Sequence, residues 1–247
     1  MIFLRLLPVV MLATVSCGCD EAGQTIDYSS TQRLEKGLVI ILPGIEGESP
    51  MNHDIRQGLC DCGEVCGLPI YCWGRPLPGV GMLLNQMDVS GNRLEGQKIA
   101  RMIVTYQDNY PGKTVHVIGH SGGGGVAVFA AEAMPPGRKI DGLVLLSASI
   151  SADYDLSKAL GNCKKGILNV YNTNDTAMLV VGTTLTSTVD GEHGVSAGAS
   201  GFTQSFNGLY QTSVDDSFDP HASTTRSNFI AGNVGPWLNA PAWPPAR

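Results

Sequence analysis

The chain has 247 residues, 43% hydrophobic and 15% charged, with a formal net charge of −6 and a sequence pI near 5.3. That length suits one domain with a sizeable core. The acidic balance carries no electrostatic footprint for nucleic acid, and the lack of a long apolar run beyond the N-terminal segment excludes a multi-pass membrane protein.

Residues 1–19 read as a targeting segment, in which Arg5 precedes an apolar stretch from Leu6 to Val15 that is too short to anchor stably in a bilayer. Ser16-Cys17-Gly18-Cys19 resembles a bacterial lipobox, with Cys17 or Cys19 as the acylated residue; a plain cleaved secretory signal is the alternative. Either way an exported protein is expected, as an envelope lipoprotein or secreted. Residues 20–37 read as a polar tether, and residues 38–247 as the folded domain.

Leu38–Leu42 is a continuous apolar run, suited to a strand buried on both faces of a parallel sheet. The loop Pro43-Gly44-Ile45-Glu46-Gly47 follows, with the freedom to aim backbone N–H groups inward, and Ser49-Pro50 starts a helix running to about Leu59. Leu68–Trp73 is expected as a second strand, followed by a Pro/Gly-rich loop through Gly81. Asn92–Tyr110 carries Ile99, Met102, Ile103 and Tyr106 at helical spacing and is stopped by Pro111-Gly112. Next come a short strand, Val115–Ile118, a glycine-rich corner from Gly119 to Gly125, and an apolar helix ended by Pro135-Pro136-Gly137. Strands are expected at Gly142–Leu146, Ile167–Tyr171 and Phe206–Thr212, with a helix at Thr176–Val189 and a flexible loop at Val195–Gly201. A last helix runs from about Ser223 to Leu238, ahead of a Pro-rich tail. Such alternation predicts a three-layer α/β sandwich, a mostly parallel sheet of about six strands with helices on both faces.

The corner holds Gly119-His120-Ser121-Gly122-Gly123, a G-x-S-x-G pattern. In a nucleophile elbow the serine sits on a strained strand-to-helix turn, and the flanking glycines avoid crowding it. Gly194-Val195-Ser196-Ala197-Gly198 also fits the pattern, but only Ser121 has a strand before it and a helix after it. Ile45, Ser121 and Asp175 each follow the end of an expected strand, where chemistry collects in such sheets.

On these residues the chain resembles the α/β-hydrolases, serine enzymes whose functional residues occur in the order Ser, acid, His. The resemblance implies a small member of that family without a lid domain, because only Ala148–Lys165 separates two of its strands. It implies Ser121 as nucleophile, Asp175 as acid with Asp153 and Asp155 as rivals, and His221 as base with His193 as the other histidine after Asp175. It further implies an oxyanion hole from the backbone N–H groups of Ile45 and Gly122. His116 and His120 are committed to the elbow, and His53 sits in the first helix.

The activity implied is hydrolysis of carboxylic esters through an acyl-enzyme on Ser121. A small ester or lipid-like substrate, no cofactor and a monomeric state are expected. A thioesterase or peptidase with the same residues, or a non-catalytic envelope binding module on the same fold, are the alternatives. Cys60, Cys62, Cys66 and Cys72, with Cys163 distant, leave disulfides, free thiols and a metal site all open.

Overall fold

The computed structural model describes residues 17–19, 25–75, 80–175 and 187–246. Most of the leader, part of the tether and of the Pro/Gly-rich loop, and residues 176–186 of the expected Thr176–Val189 helix lie outside the described residues. The three residues that follow, 187–189, are not helical. The backbone of Cys17–Cys19 pairs antiparallel with Thr25–Asp27 as a small separate ribbon. No helix among the described residues is long and apolar enough to cross a membrane.

The main sheet has five strands: β1 (Leu38–Leu42), β2 (Val115–His120), β3 (Gly142–Leu146), β4 (Ile167–Asn172) and β5 (Leu209–Val214). They lie in the order β1-β2-β3-β4-β5 and are all parallel. The second strand expected, Leu68–Trp73, is reduced to two isolated parallel bridges on the free edge of β1, Leu38 with Gly67 and Ile41 with Ile70. Pro69 has no N–H to offer a ladder, and its carbonyl only accepts from Ile41 N at 2.9 Å. The chain therefore leaves β1 on one side and returns on the other as β2. That reversal places a topological switch point between the carboxyl ends of β1 and β2, the crevice where open α/β sheets bind ligands.

Four helices matter for the site: α1 (Pro50–Asp61), α2 (Val80–Met87), α3 (Val89–Asn109) and α4 (Gly122–Glu132). Asn52 accepts the Ser49 N–H at 2.9 Å at the start of α1, and Asp88 accepts the Gly91 N–H at 2.8 Å at the start of α3, each satisfying an otherwise orphan donor. Side chains alternate across the sheet with period two. Leu38, Ile40, Leu42, Val115, Val117, Leu143 and Leu145 pack against Ile99, Ile103, Val126 and Ala130 of α3 and α4. Val39, Ile41, Ile118, Val144 and Leu146 pack on the other face against Ile55 and Leu59 of α1, with Ile230, Val234 and Trp243.

Two further expectations are corrected. The last helix is broken into a 3-10 turn at Ser223–Thr225, a turn at Ser227–Phe229, a π-helical turn at Ile230–Val234 and a short helix at Gly235–Asn239. Arg226 interrupts it with extended angles, φ −55° and ψ 138°. The segment expected as a flexible loop at Val195–Gly201 instead holds a helical turn, Ala197–Ser200, whose Ala197, Gly198 and Ala199 are buried and which presses against the backbone of Ser147 and Ala148 at Gly198.

The same alternation aims His116, Ile118 and His120 of β2 at the α1 face. His116 lies at the lower end, stacked on Trp243 with ring centroids 6.3 Å apart, and its Nε2 has no hydrogen-bond partner. Tyr210 donates to the Trp243 carbonyl at 2.8 Å and Lys165 to the Ala240 carbonyl at 2.6 Å, which holds this tail in place. Burial first, and the Lys165 ammonium second, push the His116 pKa down to about 4. The unfolded chain takes up this proton at about 6.5, so between the two values it binds more protons than the folded chain. Stability attributable to His116 is therefore lost as pH falls from about 6.5 towards 4. Urea unfolding of His116→Gln should show a shallower pH slope there than the unsubstituted chain; an equal slope would refute the assignment.

Candidate active site

The site is assembled around the turn from β2 into α4. Ser121 has φ 51° and ψ −124°, a left-handed conformation costly for a residue with a Cβ. The strain is held by three backbone bonds: Ser121 N donates to Leu146 O at 3.0 Å, and its carbonyl accepts from Gly124 N at 3.0 Å and Ser149 N at 2.9 Å. Close approach demands the glycines on either side. A Cβ on Gly119 would lie 2.4 Å from Gly123 O, and one on Gly123 would lie 2.3 Å from Pro43 O.

Asp175 stands just past β4, its N–H bonded to Asn172 O at 3.0 Å, and its carboxylate is buried. Its Oδ2 lies 2.6 Å from Nδ1 of His221, whose side chain retains 13% exposure. The His221 ring in turn lies 4.8 Å from the ring of His120, the residue immediately before Ser121. The structure thus brings Asp175 and His221 together beside the elbow. The rival residues lie elsewhere: Asp153 is exposed and bonds Thr203, Asp155 is exposed and takes up the Ser157 N–H at 2.9 Å, and His193 is exposed. His53, on α1, is flanked by Glu48 at 3.2 Å and Arg56 at 2.8 Å. Ser196 of the second G-x-S-x-G is fully buried, with ordinary extended angles of φ −85° and ψ 155°.

The loop after β1 closes over the start of α4. A Cβ on Gly122 would come 2.7 Å from Ile45 Cγ2 and 3.5 Å from Ile45 N, so the two backbones named for the oxyanion hole are neighbours. Trp73 Nε1 donates to Pro43 O at 2.7 Å and Asn85 Nδ2 to Ile45 O at 3.1 Å, fixing both peptides of that loop. The first N–H groups of α4 have no acceptor within the helix, and its dipole leaves partial positive charge here. Together these make a place suited to negative charge developing on an oxygen.

His120 is fully buried, and neither ring nitrogen makes a hydrogen bond of normal geometry, although the His221 carbonyl lies near enough to favour a proton on the ring. Burial first, then the facing His221 imidazole, hold its pKa well below the usual value, so His120 is a neutral wall beside the pair.

Sequence reasoning passed over four buried polar residues around this site: Asn85, Gln86, Ser149 and Asn172. Gln86 Nε2 donates to Ser149 Oγ at 2.7 Å and to Ser187 O at 2.8 Å, bracing the segment that bonds the Ser121 carbonyl. Only Asn172 left a trace in the sequence, as a polar residue closing the apolar run of β4. Cys60, Cys62, Cys66, Cys72 and Cys163 are free thiols, and burial pushes Cys66 and Cys163 up to about 12. No group of three His, Cys, Asp or Glu side chains suited to a metal ion occurs among the described residues.

No protein-family model matches the chain, and no curated protein does. Solved structures of similar shape include the esterase domain of a Rhodothermus marinus protein, at 13% identity and a TM-score of 0.50, covering 90% of this chain and 95% of that one. A lipase-esterase related protein from Clostridium acetobutylicum has 12% identity and a TM-score of 0.49, covering 81% of this chain and 94% of that one. A pyrethroid hydrolase has 20% identity and a TM-score of 0.33; the match covers 47% of this chain and spans 41% of that one. At such identities likeness speaks to architecture alone. The match to the Rhodothermus domain spans nearly the whole of both chains, in keeping with the five-stranded parallel sheet and its flanking helices: this chain is built on the α/β-hydrolase fold.

Proposed function

We propose that the chain is a serine hydrolase of carboxylic esters. The observation that carries this reading is the buried Asp175–His221 pair, 2.6 Å apart, set beside the strained Ser121 turn. In the reaction His221 takes the Ser121 hydroxyl proton as Oγ bonds to the ester carbonyl carbon. The carbonyl oxygen becomes an oxyanion facing the N–H groups of Ile45 and Gly122. His221 then passes the proton to the departing alkoxide, leaving an acyl-enzyme and a free alcohol. Water repeats the sequence on the acyl-enzyme, with His221 again moving the proton, and releases the carboxylic acid and Ser121. Asp175 holds the imidazole in the required tautomer and stabilises its cation.

The segment between β3 and β4 carries one short helix, Ser157–Gly161, and no inserted helical layer. That openness supports small esters or lipid-like substrates reaching Ser121 directly. Export, with lipid attachment at Cys17 or Cys19, belongs to the same proposal and rests on the leader alone.

A fluorophosphonate probe should label the folded protein at one serine and block turnover of a chromogenic ester. A folded chain that neither reacts with the probe nor turns over any ester would overturn the enzymatic reading and leave a binding module.

A further inference from the structure

We propose that Asn172 is a positioning residue that sets the distance between the acid and the histidine; this rests on the ester-hydrolase reading above. Asn172 ends β4, is fully buried, and spends its amide on both halves of the site. Its Oδ1 accepts the Asn174 N–H at 2.9 Å, and its own carbonyl accepts the Asp175 N–H at 3.0 Å, which together fix the turn that carries the acid. Its Nδ2 donates across to the histidine loop, to Asp216 O at 2.9 Å, Pro220 O at 3.1 Å and Ser223 Oγ at 3.0 Å. Ser223 Oγ passes the connection on to Pro220 O at 2.8 Å, the carbonyl immediately before His221. One planar amide therefore ties the Asn174 N–H, in the turn that carries Asp175, to the peptide before His221.

The histidine loop has its own internal scaffold. The Asp216 carboxylate accepts the N–H of Phe218 at 2.9 Å and of Asp219 at 3.1 Å, and pairs with Arg226 at 2.6 Å. Loss of the Asn172 donor thus leaves a loop that still folds and is still joined to the acid turn through Asn174 Nδ2 and Asp215 Oδ1 at 2.8 Å, but that has lost the bonds holding the peptide before His221. A displacement of about 1 Å at a reacting group can cost about 100-fold in rate, so a small shift of His221 would register in catalysis before it registered in stability.

Asn172→Asp keeps the size and the Oδ1 acceptor and replaces only the donor, now facing three oxygens. We expect kcat on a chromogenic ester to fall about 100-fold with KM within about twofold, because the lost interaction serves the transition state rather than substrate binding. We also expect loss of the downfield proton resonance of the His221 Nδ1–Asp175 hydrogen bond, with the circular dichroism spectrum retained. Ser223→Ala, which removes one acceptor and the relay to Pro220, should shift both readouts in the same direction by about 5- to 10-fold in kcat. Wild-type kcat and an unchanged resonance in Asn172→Asp would overturn the inference; should that variant not fold, the same result in Ser223→Ala would do so. If the unsubstituted chain turns over no ester, the functional reading falls, while the resonance still decides the clamp: its loss in the variant supports it and its persistence sinks it.

Discussion

Ser121→Ala is expected to abolish fluorophosphonate labelling and to lower ester turnover by about 10⁴-fold or more, with unfolding free energy changed by no more than about 1 kcal/mol. The size follows from the division of labour at the turn. Removing Oγ eliminates the acyl-enzyme route, and what remains is the contribution of the N–H groups at Ile45 and Gly122 to a direct attack by water. The fold should tolerate the change because the backbone bonds to Leu146, Gly124 and Ser149 do not use the hydroxyl. Alanine is also no bulkier at the positive φ than serine. Labelling that persisted in the variant would assign the reaction to a different serine.

Asp175→Asn should lower kcat by about 10⁴-fold while the chain stays folded. The carboxylate is almost fully withdrawn from water and its contact with His221 Nδ1 is short. An amide in its place loses the charge that stabilises the imidazolium, and it can present an N–H to Nδ1, which favours the tautomer that cannot accept the Ser121 proton. Asp153→Asn and Asp155→Asn should remain within about twofold of the unsubstituted chain, since both are exposed turn residues far from His221 in their contacts. Steady-state kinetics on the three variants decides the matter. A loss of less than about tenfold in Asp175→Asn would remove it from the acid role.

The residues that come together were legible where the code is local. Ser121 announces itself through glycines at fixed spacing between a strand and a helix, although the atoms that forbid a side chain at Gly123 belong to the distant Leu42 and Pro43. Asp175 and His221 were legible because each follows an expected element in a fixed order. The edge segment was over-read because Leu68–Trp73 has the apolar composition of a strand, yet Pro69 withholds the donor that a ladder requires. The final helix was over-read for a related reason: apolar spacing continues past Arg226, while its extended angles break the element. The roles of Asn172 and Asn85 were illegible because each bonds backbone more than 39 residues away, Asn172 to Pro220 and Asn85 to Ile45. Such contacts leave neither a period nor a motif in the chain.

The seat of Trp243 against His116 has a consequence for truncation. The floor of the sheet under β2 is supplied by a ring that lies in sequence beyond every strand. Without it the His116 and Tyr210 rings lose their cover, and Tyr210 loses the carbonyl that it bonds. A stop codon placed before Trp243 would keep the residues of all five strands and leave the base of the sheet open.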